Sequence, residues 1–126
     1  ACADPALSRG QAAEWLRPLG SATTGNAIHS GAFVIWNGLR GHGADLGAAS
    51  HALLIDLKAR LEAEGGGFDD LVKLTIYLHA FEPYPLFNDA TKHYFADIIP
   101  PTRSVLVAPD FTGDAKIMID VVALKP

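Results

Sequence analysis

The chain has 126 residues, of which 49% are hydrophobic and 19% are charged. This length is typical of one domain that buries roughly two-thirds of its unfolded surface, which excludes a disordered or fibrous protein. The formal net charge of −4 disfavours binding to the phosphate backbone of nucleic acids, which requires a basic surface. The single cysteine, Cys2, excludes an internal disulfide and a zinc site with several cysteines. No apolar run is long enough to span a membrane.

We divide the chain into an N-terminal extension, residues 1–26, and a single domain over residues 27–126. The extension contains one candidate helix, at residues 11–16, where glutamine, alanine and leucine are good helix formers. We expect a cytoplasmic protein. Export stays open, because the chain begins at Ala1 rather than at a methionine.

Alternating and β-branched runs predict five short strands, at residues 27–29, 33–36, 71–80, 104–107 and 116–124. The first two strands would form a hairpin that turns at Ser30–Gly31. The second strand would end at Asn37–Gly38, and the glycine-rich segment 39–44 would be a loop.

Two helices are predicted between these strands. Leucines and alanines at spacings of three and four indicate a helix over residues 45–64, with Asp45 as its N-cap. One glycine of Gly65–Gly67 would take the left-handed conformation that ends this helix. A second helix is predicted over residues 84–97, after a proline-rich turn.

The element order ββαβαββ predicts an α+β sandwich, a mostly antiparallel sheet with both helices packed on one face. The sequence predicts that the other face of the sheet is too apolar to be exposed to water. The side chains that we expect on or near it are Ile28, Trp36, Tyr77, Met118 and Val122. An exposed apolar face of this kind indicates a partner, and a closed homo-oligomer is the simplest one.

Arg103 is the first candidate for chemistry, because the stiff Pro100–Pro101 segment precedes it at the start of a strand. Its guanidinium could bind a carboxylate through two parallel hydrogen bonds, or it could form a plain surface ion pair. Asn37–Gly38 could present backbone groups to a ligand or form an ordinary turn. His42 could be a titratable group of a lid or a solvated loop residue. Asp120 lies on the mixed face of the last strand.

The sequence does not indicate a metal or phosphate site. None of the five histidines forms the helical pair with an intervening glutamate that binds zinc, and Cys/His clusters are absent. The glycines beside His42 are not followed by a helix that begins with Lys-Ser/Thr, as a phosphate-binding loop would be. We therefore expect no metal and no other cofactor.

Four short segments together match the motif pattern of one protein family. The segments are Gly31–Gly38, Asp69–Leu78 (DDLVKLTIYL in this chain), Asn88–Phe95 and Pro101–Ser104. The family patterns that they match are, in the same order, G-D-x-V/I-x-x-S-G, DDVVKVTVYL, N-x5-FF and P-A/T-R-S, with Asn37 in place of the serine and Tyr94 in place of the first phenylalanine. In this order and spacing they resemble the Rid (YjgF) family of imine/enamine deaminases. The resemblance covers about residues 27–124.

The resemblance implies a chorismate-mutase-like fold, a homotrimer and ligand clefts between subunits. It also implies a 2-imino or 2-enamino acid as substrate, with its carboxylate bound by Arg103. The other substrate-binding positions that it implies are Val105 through its backbone, the groups near Asn37 and Gly38, and Phe95, which would pack on the substrate.

The sequence departs from the family pattern at the catalytic glutamate, whose position is occupied by Met118. A thioether can neither accept a proton nor orient water as a carboxylate does, so Met118 would only line the cleft. Asp120 lies about 7 Å further along the same face of the strand. Asp120 and His42 are therefore candidate catalytic groups in addition to Arg103. The family's assisting tyrosine falls near Thr24.

We expect a hydrolase that deaminates a small imine or enamine bearing a carboxylate. The alternative is a non-catalytic protein of the same fold that binds a small carboxylate. Nucleic-acid cleavage has also been attributed to the family, but the acidic charge and the lack of a basic, aromatic-rich stripe disfavour it. We expect neither nucleic acid nor a membrane among the partners.

Overall fold

The computed structural model describes residues 27–108, 111 and 114–125. The described part has the predicted element order ββαβαββ. Its strands are β1 (Ala27–Ser30), β2 (Phe33–Gly41), β3 (Leu71–Leu78), β4 (Thr102–Val107) and β5 (Ile117–Leu124), and its helices are α1 (Leu46–Ala63) and α2 (Tyr84–Tyr94). The candidate helix at residues 11–16 and Thr24 lie outside the described residues. No described helix has the length and hydropathy that a membrane crossing requires.

The five strands form one sheet in the order β1-β2-β5-β3-β4. All neighbouring strands are antiparallel except β3 and β4, which are parallel. A parallel pair needs a crossover connection, and α2 supplies it here. This crossover places α2 beside β4 at the edge of the sheet.

Helix α1 begins and ends as its sequence predicts. The Asp45 side chain accepts a hydrogen bond from the backbone N–H of Ala48 at 2.8 Å, as an N-cap does. At the other end, Gly65 has a φ of +85°, and the backbone N–H of Gly66 donates to the carbonyl of Leu61 at 2.9 Å. The left-handed glycine predicted at this end is therefore confirmed.

The core lies between the sheet and the two helices, so the helices occupy one face as predicted. Alternate residues of β5 point into this core, where Ile117, Ile119 and Val121 are each 0% exposed. From α1 they meet Leu53, Leu54 and Leu57, which are also fully buried. Burial of each such side chain contributes roughly 1.5–3 kcal/mol to folding.

Strand β2 is longer than predicted, and its predicted end at Asn37–Gly38 was wrong. The strand continues to Gly41 through a β-bulge, where the register with β5 shifts between Trp36 and Leu39. Gly38 has a φ of +71° at the bulge, a conformation that glycine adopts without steric cost. Segment 39–44 is thus strand up to Gly41 and a loop only beyond it.

The sheet face opposite the helices, called the open face below, carries four of the five side chains predicted there. Ile28 is 47% exposed, and the other three are half-buried: Tyr77, Met118 and Val122. Trp36 was placed on the wrong face. It pairs with Val121 and is 3% exposed in the core, because the strand alternation points it toward the helices.

Candidate functional site

Arg103 lies on the edge strand β4, at the rim of the helix-covered face. It pairs with Leu74 of β3, which is fully buried beneath the helices, and this pairing fixes the face to which Arg103 belongs. Its side chain is half-buried. The guanidinium therefore projects toward α2 instead of into open solvent.

Two hydroxyl groups of α2 hold the guanidinium. Arg103 Nη1 donates a hydrogen bond to the hydroxyl oxygen of Tyr84 at 3.2 Å. Arg103 Nη1 and Nη2 each lie 3.5 Å from Thr91 Oγ1. Thr91 is 2% exposed, and its hydroxyl donates to the carbonyl of Asn88 at 2.8 Å, so its oxygen faces Arg103 as an acceptor.

Two aromatic rings, those of Phe87 and Tyr84, stand beside the guanidinium, and a third stacks on Tyr84. The Arg103 carbon Cζ lies 5.9 Å from the ring centroid of Phe87, within the range of a cation–π contact. The Tyr84 ring lies 6.1 Å from that of Phe87 and stacks on Phe81 at 5.3 Å with an interplanar angle of 13°. Tyr84, Phe87 and Thr91 share one face of α2 because they follow each other at spacings of three and four.

Arg103 has no acidic partner within the described ranges 27–108 and 114–125. The acidic side chains that contact a basic residue there are Glu64 beside His29, Asp114 beside His42 and Asp56 beside Arg60. The surface ion pair considered for Arg103 is therefore not formed by any described residue. A half-buried cation among neutral hydroxyls and rings is suited to binding an anion, and its planar fork matches a carboxylate.

Asp120 lies on the open face, where both of its carboxylate oxygens accept hydrogen bonds. Oδ1 accepts from the backbone N–H of Gly38 at 2.9 Å, and Oδ2 accepts from the Tyr77 hydroxyl at 2.9 Å. The hydrogen bond to Asp120 is the main cause that raises the pKa of Tyr77, followed by burial and by the charge of Asp120. Asp120 thus fastens the β2 bulge to β5 and β3.

Arg103 and the candidate groups of β5 lie on opposite faces of the sheet within one chain. Asp120 pairs with Thr75 and Met118 with Tyr77, whereas Arg103 pairs with Leu74 on the helix face. Strand β3 lies between β4 and β5, so the strands that bear Arg103 and Asp120 are about 10 Å apart. A single chain therefore does not bring Asp120 or Met118 to the guanidinium of Arg103.

His42 is also separated from Arg103. It follows β2, three strand spacings or about 14 Å from β4, beyond the level at which Gly41 pairs with Ile117. Its Nδ1 lies 3.0 Å from Asp114 Oδ1, and the two side chains are 56% and 95% exposed. His42 is thus an exposed residue in contact with Asp114, far from Arg103.

The predicted substrate-binding residues divide into three groups. Val105 is half-buried on the same face as Arg103, two positions along β4. Asn37 and Gly38 lie at the bulge beside Asp120 and away from Arg103. Phe95 is 7% exposed, and its ring lies 5.2 Å from that of Phe68. It therefore belongs to the core and does not line the site formed by Arg103, Tyr84 and Thr91.

Sequence reasoning missed Tyr84 and Thr91, the two partners of Arg103. The only signal in the sequence is their helical spacing with Phe87, which places two hydroxyl groups on an otherwise apolar stripe. Among the residues that the structure describes, no three His, Cys, Asp or Glu side chains are arranged to hold a metal ion.

Comparison with known proteins gives one family and consistent relatives. The family model described as endoribonuclease L-PSP matches residues 21–125. A 2-iminobutanoate/2-iminopropanoate deaminase of Dermatophagoides farinae is 30% identical over 69 residues, 55% of this chain and 53% of that protein. A RutC family protein of Pyrococcus horikoshii is 30% identical over 81 residues, 64% of each chain. The chain thus spans about half to two-thirds of the length of these relatives.

Solved structures show the same fold at low sequence identity. Escherichia coli TdcF with bound serine superposes with a TM-score of 0.75 at 21% identity, over 85% of this chain and 92% of that one. Yeast Mmf1 superposes with a TM-score of 0.76 at 17% identity, over 84% and 90% of the two chains. These likenesses confirm the predicted chorismate-mutase-like sandwich.

Proposed function

The chain belongs to the endoribonuclease L-PSP family, also called the YjgF/Rid family, and on this premise we propose that it hydrolyses a small imine or enamine bearing a carboxylate. The observation that carries the proposal is the state of Arg103, a half-buried guanidinium held by two hydroxyls and unpaired with any described acid. The Dermatophagoides farinae relative, a 2-iminobutanoate/2-iminopropanoate deaminase by name, supports the same reaction class.

The proposed reaction adds water to the C=N bond and releases ammonia and a 2-oxo acid. Arg103 binds the substrate carboxylate through two parallel hydrogen bonds, which fixes the position of the neighbouring imine carbon. Imines hydrolyse readily in water, so orientation and electrostatics need to lower the barrier by only a few kcal/mol. The backbone of Val105, on the same face of β4, lines the site.

Three other predicted site residues would reach Arg103 only from a second subunit. Met118, Asn37 and Gly38 lie on or beside the open face, opposite to Arg103. We propose the homotrimer that the family resemblance implies. In it, the open face of one subunit would approach the sheet edge that carries Arg103 in its neighbour and close a cleft between them. The apolar side chains of the open face, which include Ile28, are consistent with such burial.

A second candidate function is the binding of a small carboxylate without chemistry. It is favoured by Met118, which stands where the family resemblance implies the catalytic glutamate. The nearest carboxylate on that face, Asp120, is hydrogen-bonded through both oxygens and holds the bulge. Under this alternative the ligand would be recovered unchanged.

We do not propose RNA cleavage, despite the description of the matching family model. The formal net charge is −4, and RNA-binding surfaces are basic and rich in exposed aromatic residues. RNA binding that weakens steeply with salt concentration would bring this activity back into consideration.

An imine-trapping assay tests the proposed hydrolysis. An amino-acid oxidase generates 2-iminobutanoate, and semicarbazide traps whatever imine remains. We expect the wild-type protein to reduce the semicarbazone yield, Arg103→Ala to lose this effect, and Arg60→Ala, which removes only a surface arginine paired with Asp56, to retain it. Peroxide output checks that the oxidase itself is unaffected.

The assay also separates the two candidate functions. If neither the wild type nor Arg103→Ala removes imine faster than buffer does, imine hydrolysis is excluded for this substrate class. Calorimetric titration with 2-oxobutanoate then decides whether Arg103 binds a carboxylate at all. Binding that Arg103→Ala abolishes supports the non-catalytic alternative.

A further inference from the structure

We propose that Tyr84 is a catalytic residue of this chain, the group that passes a proton between water and the substrate nitrogen. The inference rests on the proposed imine hydrolysis and names the proton-transfer group of that same site. It starts from the hydroxyl of Tyr84, which touches the guanidinium of Arg103 at 3.2 Å. A carboxylate bound by Arg103 would therefore lie beside this hydroxyl.

The Tyr84 hydroxyl has a proton to donate. Its oxygen accepts the hydrogen bond from Arg103, so its own hydrogen must point elsewhere. Within the described part of the chain, no acceptor is bonded to it. The neighbouring Thr91 hydroxyl differs in this respect, because its proton is already donated to the carbonyl of Asn88 at 2.8 Å.

The position of Tyr84 is also well defined. The ring is half-buried, stacked on Phe81 at 5.3 Å and 6.1 Å from Phe87, so the hydroxyl is held at the rim of the site. Proton transfer of this kind requires a donor within hydrogen-bond reach of the reacting atoms, and a fixed ring satisfies that requirement.

The other candidate residues are less suitable for the role. Met118 has no exchangeable proton. Both oxygens of Asp120 are engaged on the opposite face of the sheet, and His42 pairs with Asp114 in an exposed loop. Tyr84 is the described hydroxyl that adjoins Arg103 with its proton uncommitted.

Proton transfer through Tyr84 accounts for both steps of the reaction. In the first, the water oxygen bonds to the imine carbon, the C=N π pair takes the phenolic proton, and the water gives a proton to the phenolate. The product is a carbinolamine. In the second, Tyr84 protonates the nitrogen as the C–N bond breaks, and the carbinolamine hydroxyl returns a proton to Tyr84.

The two steps balance without any further reactant. One imine and one water give one 2-oxo acid and one ammonia, and Tyr84 ends with its proton restored. The transient phenolate lies 3.2 Å from the guanidinium of Arg103, whose positive charge stabilises it. Arg103 thus both binds the carboxylate and supports the acid.

The test compares Tyr84→Phe with Tyr94→Phe. The first variant keeps the ring on Phe81 and removes only the catalytic hydroxyl. The second removes the same group from the same helix at a site where the hydroxyl lies 3.3 Å from His51 Nδ1, away from Arg103. The rate constant kcat/KM for 2-iminobutanoate and the Kd of 2-oxobutanoate are measured for both.

We expect Tyr84→Phe to lower kcat/KM about 100-fold, the usual loss for a general acid, and to change the Kd by less than about threefold. Tyr94→Phe retains wild-type values of both. If Tyr84→Phe keeps full kcat/KM, or lowers it only in proportion to a weaker Kd, Tyr84 merely positions Arg103 and the inference is overturned.

Failure of the inference is distinguishable from failure of the proposed function. An active wild type, an inactive Arg103→Ala and an active Tyr84→Phe would reject the role of Tyr84 and leave the hydrolysis standing. An inactive wild type, or an Arg103→Ala variant with full activity, would reject the proposed function itself. Thermal unfolding of each variant confirms that it is folded.

Discussion

Asp120 Oδ1 accepts a hydrogen bond at 2.9 Å from the backbone N–H of Gly38, a residue 82 positions earlier in the chain. The bond crosses from β5 to β2 at the bulge, where the ladder between the two strands is interrupted. An amide left unpaired by a bulge costs free energy when it is shielded from water. Asp120 removes that cost and, through its second oxygen, joins Tyr77 of β3 to the same point.

Asp120→Ala is therefore expected to affect stability more than chemistry. The substitution leaves the Gly38 amide and the Tyr77 hydroxyl without their acceptor, so the free energy of unfolding should fall by about 1–3 kcal/mol. Urea unfolding measures this loss. Tyr77→Phe, which removes only one of the two hydrogen bonds, should cost less. Unchanged stability combined with lost imine hydrolysis would instead restore Asp120 as a catalytic candidate.

The raised pKa of Tyr77 predicts a loss of stability at alkaline pH. The folded state holds the phenolic proton more tightly than the unfolded state, whose tyrosine titrates near its ordinary value of 10.0. The stabilisation is therefore complete below about pH 10 and is lost as the pH rises through the higher, folded pKa. We expect the free energy of unfolding to decline in this range.

Tyr77→Phe isolates this contribution from the other groups that titrate at high pH. The variant should be less stable than the wild type at pH 8, and the difference should shrink as the pH rises above about 10. Unfolding curves at a series of pH values provide the measurement. A difference that stays constant with pH would show that the Tyr77 hydroxyl does not carry the predicted linkage.

Strong local periodicity made several elements predictable from the sequence. A row of buried residues in α1, Leu46, Ala49, Leu53, Leu57 and Leu61, recurs at spacings of three and four. In β5, Ile117, Ile119 and Val121 alternate without interruption. Asp45 and the glycines after α1 are cap signals that act within a few residues. Such features depend on neighbours in the chain, which the sequence displays directly.

The errors in the prediction arise where distant residues decide the structure. Asn37–Gly38 is a typical turn signal, yet β2 continues through it because β2 pairs with β5 and the Gly38 N–H donates a hydrogen bond to Asp120. Trp36 is likewise placed by a distant partner, because its pairing with Val121 of β5 sets it on the helix face, where it is buried. The sequence contains no sign of the β5 pairing at this position.

The candidate site was predictable only in part for the same reason. Arg103 was recognised from its own segment, but Tyr84 and Thr91 reach it only because α2 crosses over from β3 to β4. The separation of Arg103 from Asp120 depends on pairing register, in which neighbouring positions of β3 point to opposite faces. Neither relationship can be derived from the spacing of residues along the chain.

The N-cap residue of α1, Asp45, can be compared with a second aspartate on the same helix, Asp56. Asp45→Ala removes the acceptor for the backbone N–H of Ala48 and should lower the free energy of unfolding by about 0.5–2 kcal/mol. Asp56→Ala breaks only a surface pair with Arg60 one helical turn away, worth about 0.2–0.5 kcal/mol. Urea unfolding of both variants checks this order. Equal losses would show that the hydrogen bond from Ala48 to Asp45 contributes no more than a surface ion pair.

Thr91 is expected to position Arg103 without taking part in proton transfer. Thr91→Val has a similar volume but removes the oxygen that lies 3.5 Å from both terminal nitrogens of Arg103. The guanidinium then loses one of its two hydroxyl contacts and is less well oriented for a carboxylate. We expect the Kd of 2-oxobutanoate to rise about 3- to 10-fold, the equivalent of one ordinary hydrogen bond, with kcat/KM lower by the same factor.

Thr102→Val is the matched control for this experiment. Thr102 is the neighbour of Arg103 in β4, but it is exposed and its hydroxyl donates to the carbonyl of Val72 at 3.1 Å, on the other side of the strand. Thr102→Val should leave the Kd of 2-oxobutanoate and kcat/KM within about twofold of the wild-type values. A Thr91→Val variant with an unchanged Kd and a lower kcat/KM would instead place Thr91 in the chemical step.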